Sequence, residues 1–122
     1  MGVIGIGTDI IEIERFQRNG KPLGERFMER CFTEQEREYL SGRHLENMAG
    51  LFAAKEAVAK ALGTDFVGFR PSALEIMHNP QGKPEVILHG NAAVIAENEG
   101  ITNILVSISH CKTFAVAMAI AQ

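Results

Sequence analysis

Phe52 to Gly63 reads F-A-A-K-E-A-V-A-K-A-L-G, and ahead of it Gly5 to Arg15 reads G-I-G-T-D-I-I-E-I-E-R. The first stretch is dominated by alanine, lysine, glutamate and leucine, all good helix formers, with a glycine where a helix would stop. It predicts the end of a long helix running from about Leu45 to Leu62. The second begins as a strand, Val3 to Asp9. Each carries an acid where acids are inconvenient. Glu56 shares its helix side with Phe52, Ala59 and Gly63, a small apolar face on which a carboxylate is costly unless a cation or donor meets it. Asp9 closes an apolar strand. A divalent metal shared by Asp9 and Glu56, or the ammonium of Lys60 one turn on, would meet that need, and the two are compatible in a site that handles phosphates.

Each part also has an ordinary explanation. Glu56 and Lys60 stand i,i+4 with the acid first, the favoured order for a surface helix pair worth about 0.2–0.5 kcal/mol. Asp9 could cap a helix beginning at Ile10. Gly5 and Gly7 suggest a dinucleotide loop, but Ile10 stands where the third glycine is required and no strand and acid complete that fingerprint.

Working outward, the first half predicts helices. A short one runs through Arg15 and Arg18 until Asn19-Gly20-Lys21-Pro22 breaks it, a second covers Leu23 to Cys31, and Thr33 with Glu36 forms a capping box opening a third to about Leu40. After Gly63 the period changes. Ala73 to His78 and Glu85 to His89 read as strands joined by the turn formers Asn79 to Pro84. A helix over Ala92 to Glu99 follows, then strands Ile101 to Ser109 and Thr113 to Ile120. The expected class is α+β, a helical first half packed on a mostly antiparallel sheet, with residues 1–122 forming a single domain.

Composition excludes several roles. The 122 residues carry a formal net charge of −3, which gives no general attraction to nucleic acid, although six of the seven arginines fall between Arg15 and Arg43 and allow a local basic surface. No apolar run has the length of a membrane span and the N-terminus lacks a signal core, so a cytoplasmic location is expected. Cys31 and Cys111 are too few for a disulfide scaffold or a zinc site and read as structural.

Four motifs occur in order: the G-I-G-T-D start, the F-A-A-K-E-A-V-A-K-A-L-G helix, the turn Gly82-Lys83-Pro84 and the ending V-S-I-S-H from Val106 to His110. Together they resemble the holo-[acyl-carrier-protein] synthases, the short bacterial family of 4′-phosphopantetheinyl transferases, from Gly5 to about Ala119. The resemblance implies that fold, and transfer of 4′-phosphopantetheine from coenzyme A to a serine of apo-acyl carrier protein in support of fatty acid biosynthesis. It also implies Mg²⁺ as cofactor on Asp9 and Glu56, with Lys60 as a third catalytic group. Coenzyme A would meet Arg43, Lys55, Lys60, Gly63, Gly82, Lys83, Pro84 and His110. Lys55 lies on the Leu51/Val58/Leu62 stripe, from which its ammonium is expected to reach the rim. Arg15, Arg26, Phe27 and Arg30 match the surface that docks the carrier protein. A homotrimer with active sites between neighbouring subunits is implied as well. One position departs from the pattern: the family usually has arginine immediately before the F-A-x-K-E-A motif, and here it is Leu51. A metal-dependent nucleotide pyrophosphate hydrolase and a non-catalytic coenzyme A-binding module are the alternative readings.

Overall fold

The computed structural model describes residues 2–122. Strand β1 (Gly5–Glu12) leads through a 3₁₀ turn (Ile13–Phe16) into a two-residue hairpin, β2 (Gln17–Arg18) and β3 (Lys21–Pro22). Helices α1 (Glu25–Cys31), α2 (Glu34–Leu40) and α3 (Leu45–Ala61) follow. The second half contains the hairpin β4 (Leu74–His78) and β5 (Pro84–Leu88), helix α4 (Gly90–Asn98), and strands β6 (Ile104–His110) and β7 (Phe114–Ala121). The last strand lies in the middle of a three-stranded sheet ordered β1-β7-β6, antiparallel on both sides. The α+β expectation holds.

The expected helix through Arg15 and Arg18 does not form. β1 instead continues to Glu12, because Ile10-Ile11-Glu12-Ile13 alternates as a strand: Ile11 and Ile13 are buried while Ile10 and Glu12 are exposed. Asp9 is therefore a mid-strand residue opposite Ala117, not a helix cap.

Helix α3 crosses the sheet's inner face, which is made small so that the helix can come close. Ala115, Ala117, Ala119 and Ala121 of β7 are all buried beneath it, as are Ala53, Ala54, Ala57 and Ala61 on the helix. The approach is tightest at β1, where a β-carbon on Gly5 would run into the carbonyl oxygen of Ala61 and one on Gly7 into that of Ala57. Those glycines serve backbone contact between helix and strand.

The capping box before α2 forms as expected: Glu36 N donates to Thr33 Oγ1 at 3.1 Å and Thr33 N to Glu36 Oε1 at 2.9 Å. Its carboxylate, however, is buried. Glu36 also accepts from Lys55 Nζ at 2.7 Å and from Ile76 N at 2.8 Å, which ties α2, α3 and β4 together at one point. The sheet's other face stays open and apolar, with Ile6, Ile10, Leu105, Phe114, Val116 and Met118 exposed on it. No helix among the described residues is long and apolar enough to cross a membrane.

Candidate active site

Strand alternation turns Asp9 toward α3, and the glycine two residues before it lets that helix come near. Lys60 Nζ donates to the carbonyl oxygen of Thr8 at 2.9 Å and lies 3.5 Å from Asp9 Oδ1. Glu56 stands one turn earlier on α3, half-buried. Both carboxyls have raised pKa values. For Asp9, burial outweighs the opposing charges of Lys60 and Arg15. For Glu56, burial comes first and the charges of Asp9 and Asp65 add to it, against Lys60 and Arg15. The cluster therefore still favours a further positive charge after its own lysine and arginine have acted.

A divalent cation fits that donor set. Two carboxylates offer only hard oxygen ligands, the type that suits Mg²⁺. Among the described residues no three His, Cys, Asp or Glu side chains gather to form a complete cage, so an ion here would complete its shell with water and ligand oxygens. Arg15 and Asp65 belong to the electrostatics of this cluster. The family resemblance put Arg15 at a docking surface, and Asp65 was not singled out from sequence; here both act on the carboxylates through their charge.

A second group lies across α3. A groove of about 190 Å³ is lined by Tyr39, Glu46, Asn47, Gly50, Leu51, His78, Gly82, Pro84, Ile108 and His110. The β4–β5 turn shapes one wall: Asn79 Oδ1 accepts from the backbone N–H groups of Gln81 and Lys83, and Gly82 takes φ +85°, a conformation glycine adopts freely. Arg43 stands beside the groove, its Nε donating to Tyr39 O at 2.7 Å. Lys83 is exposed between two groove residues. Asp9, Glu56 and Lys60 do not line this groove. They cluster at β1, one edge strand of the sheet, whereas Ile108 and His110 belong to β6, the other edge. Gly63, at φ +83°, follows the end of α3, one turn beyond Lys60 and two beyond Glu56.

Lys55 is a correction. Its side chain is wholly buried, with Nζ donating to Glu36 Oε1 at 2.7 Å, Leu74 O at 2.7 Å and Pro71 O at 3.2 Å. An ammonium held by three acceptors inside the core cannot reach a ligand at the rim. Leu51 is buried too, 2% exposed, and packs in the core while one side borders the groove.

On α1, Arg26 and Arg30 are exposed as expected. Phe27 is only half-exposed, because its ring packs among Phe16, Phe32 and Phe52 at centroid distances of 5.9, 6.3 and 6.1 Å. One side of it still meets a surface depression shared with Arg18, Leu23, Gly24 and Arg26. An open hollow of about 680 Å³ lies between α2 and the start of α4, and none of the sequence-named site residues line it.

The profile of the 4′-phosphopantetheinyl transferase superfamily matches residues 5–119. The holo-[acyl-carrier-protein] synthase of Caldanaerobacter subterraneus is 48% identical over 122 residues, covering 97% of this chain and 94% of that protein. That of Alkaliphilus metalliredigens is 49% identical over 119 residues, covering 96% and 97%. Among solved structures, the holo-[acyl-carrier-protein] synthase of Neisseria meningitidis superposes with a TM-score of 0.89 at 33% identity, covering 99% of both chains. The Helicobacter pylori synthase in complex with coenzyme A superposes with a TM-score of 0.82 at 28% identity, covering 96% of this chain and 99% of that one. With a family profile matching residues 5–119 and relatives this similar over nearly its whole length, the chain belongs to the 4′-phosphopantetheinyl transferase superfamily and, within it, to the holo-[acyl-carrier-protein] synthases.

Proposed function

We propose that this chain transfers the 4′-phosphopantetheine group of coenzyme A to a serine hydroxyl of apo-acyl carrier protein and releases 3′,5′-ADP, in the cytoplasm and in support of fatty acid biosynthesis. The observation that carries the reading is the pairing of Asp9 and Glu56 with Lys60 in a chain of this family. The serine Oγ forms a bond to the β-phosphorus of coenzyme A. The bond from that phosphorus to the bridging oxygen breaks, and its electron pair leaves with 3′,5′-ADP. We assign Glu56 of this cluster as the acceptor of the serine proton. Lys60 is half-exposed and anchored on Thr8 O, so its remaining N–H groups are available to a phosphate oxygen. Asp9 and Glu56 would hold Mg²⁺, which when bound neutralises charge on the pyrophosphate.

The nucleotide end of coenzyme A belongs in the groove of Gly82, Pro84 and His110, with Arg43 and Lys83 beside it, and Gly63 borders the phosphates. Arg15, Arg26 and Arg30 face an acidic carrier protein, with the exposed side of Phe27 as apolar contact. Two features support a homotrimer in which one protomer's carboxylates work beside a neighbour's groove. The two groups stand at opposite edges of the sheet, and the outer sheet face is an apolar surface of a kind that marks protein contact.

Incubation with coenzyme A, Mg²⁺ and an apo-carrier protein, followed by intact-mass measurement, tests the reaction. The carrier should gain the mass of one phosphopantetheine. Hydrolysis of coenzyme A with the carrier unmodified would instead establish a pyrophosphate hydrolase.

A further inference from the structure

Among the described residues the wall of the groove holds no lysine or arginine, and Gly50 and Leu51 are its buried members. Arg43, in the loop between α2 and α3, is tied to the groove residue Tyr39, and its guanidinium is not loose. Its Nε donates to the carbonyl oxygen of Tyr39 at 2.7 Å, and its plane sits over the Tyr39 ring, 4.1 Å from the centroid. The same ring stacks on His78, 4.2 Å between centroids with 7° between planes. A guanidinium and an imidazole at those distances cannot share one face of a phenol, so Tyr39 is sandwiched between them. Tyr39 and His78 both line the groove. The stack therefore joins α2 to the end of β4, the strand that leads into the Gly82–Pro84 turn. It leaves the four Nη hydrogens of Arg43 without a protein acceptor among the described residues. Burial and the charge of Arg43 lower the pKa of His78, which leaves the imidazole neutral at pH 7 and able to stack without repelling the guanidinium.

We propose that Tyr39 and His78 are positioning residues of the groove: stacked on each other, they hold the Arg43 guanidinium in place before a ligand arrives, with its Nη hydrogens free for the oxygens of a nucleotide phosphate. This rests on the reading that the groove takes the nucleotide end of coenzyme A. A cation held in advance loses little rotamer freedom on binding, so affinity depends on the stack even though neither ring need touch the phosphate. The ring contacts are of the kind that cation–π pairs make at exposed sites, which corresponds to about a two- to fivefold change in affinity.

Calorimetric titration of coenzyme A into the wild type and into Tyr39→Leu, Tyr39→Phe, His78→Leu, Arg43→Ala and the double variant Tyr39→Leu/Arg43→Ala tests this, with a melting curve on each. Tyr39→Leu and His78→Leu should each weaken coenzyme A about two- to fivefold, and should raise its KM more than they lower kcat. Tyr39→Phe keeps the ring and the main-chain carbonyl, and should recover the affinity that Tyr39→Leu loses. The double variant should bind no more weakly than Arg43→Ala alone, because the rings act through that one guanidinium. His78→Leu gives the answer should Tyr39→Leu not fold. Losses that multiply in the double variant, or a Tyr39→Phe protein as weak as Tyr39→Leu, would overturn the proposal. If Arg43→Ala weakens coenzyme A while Tyr39→Leu and His78→Leu do not, the positioning role alone fails. If Arg43→Ala binds coenzyme A like the wild type, the nucleotide reading of this side of the groove fails with it.

Discussion

Gly7 of β1 and Ala57 of α3 meet backbone to backbone, so closely that a β-carbon on Gly7 would collide with the Ala57 carbonyl oxygen. This contact sets the spacing of the carboxylate cluster, since Asp9 follows Gly7 by two residues on one side and Lys60 follows Ala57 by three on the other. Gly7→Ala should destabilise the fold by about 1–3 kcal/mol, the usual cost of overpacking a dense interior. It should also lower transfer in the fraction that remains folded, because β1 can accept the methyl only by moving away from α3. Urea unfolding and activity on the same preparation check both, and a variant with native stability would show that the approach has slack.

The raised pKa values of Asp9 and Glu56 mean that the folded protein binds those protons more tightly than the unfolded chain does. The stability they contribute is present at low pH and is lost as pH rises through the folded-state values. In the metal-free protein, Glu56→Gln should therefore raise the melting temperature at pH 7 and flatten its decline above about pH 4.5, the ordinary value for this group. The same variant should lose transfer by about 100-fold or more as a catalytic proton acceptor disappears. Chelation of divalent ions should silence the wild type. A Glu56→Gln protein that is both less stable and fully active would overturn this account.

Removing Lys55 tests a structural role. Lys55→Met leaves the Glu36 carboxylate buried with its cation gone, a change that costs about 3–5 kcal/mol in comparable pairs. Coenzyme A affinity in the folded protein should stay near wild type, in contrast to what a rim lysine would give. Denaturant titration supplies the first measurement and calorimetry the second.

Reversing Arg26 and Arg30 to glutamate should raise the KM for the carrier protein at low salt, and the difference should shrink as salt is added. Coenzyme A affinity should not change. A KM for the carrier that is indifferent to both the variant and the salt would move the docking surface elsewhere.

Much of this was legible in the chain. The helix ending at Gly63, the capping box and the turn at Asn79 to Pro84 all rest on local chemistry, and local chemistry is what a sequence displays. Asp9, Glu56 and Lys60 were singled out partly because an acid on an apolar face needs a partner and mainly because the motifs around them resemble a known family, and the structure brings Lys60 to within 3.5 Å of Asp9. Lys55 went astray for the opposite reason: its stripe was read correctly, but the carboxylate that meets it sits 19 residues away on another helix. Gly5 and Gly7 could be excluded from a dinucleotide loop, yet the carbonyls they accommodate, on Ala61 and Ala57, are a tertiary fact. The Tyr39, His78 and Arg43 stack joins three elements and has no sequence signature at all.

The placement of the carboxylates and the groove at opposite edges of the sheet has a genetic consequence. Damage to one is a lesion separable from damage to the other. In a closed ring where each protomer's carboxylates serve its neighbour's groove, a chain disabled at Glu56 and a chain whose groove is blocked would each be inactive alone. Mixed in one ring of three, they would always leave a single intact junction, where a protomer with sound carboxylates meets one with a sound groove. Co-expressed, the two dead alleles should complement each other and restore at most a third of the ring's junctions.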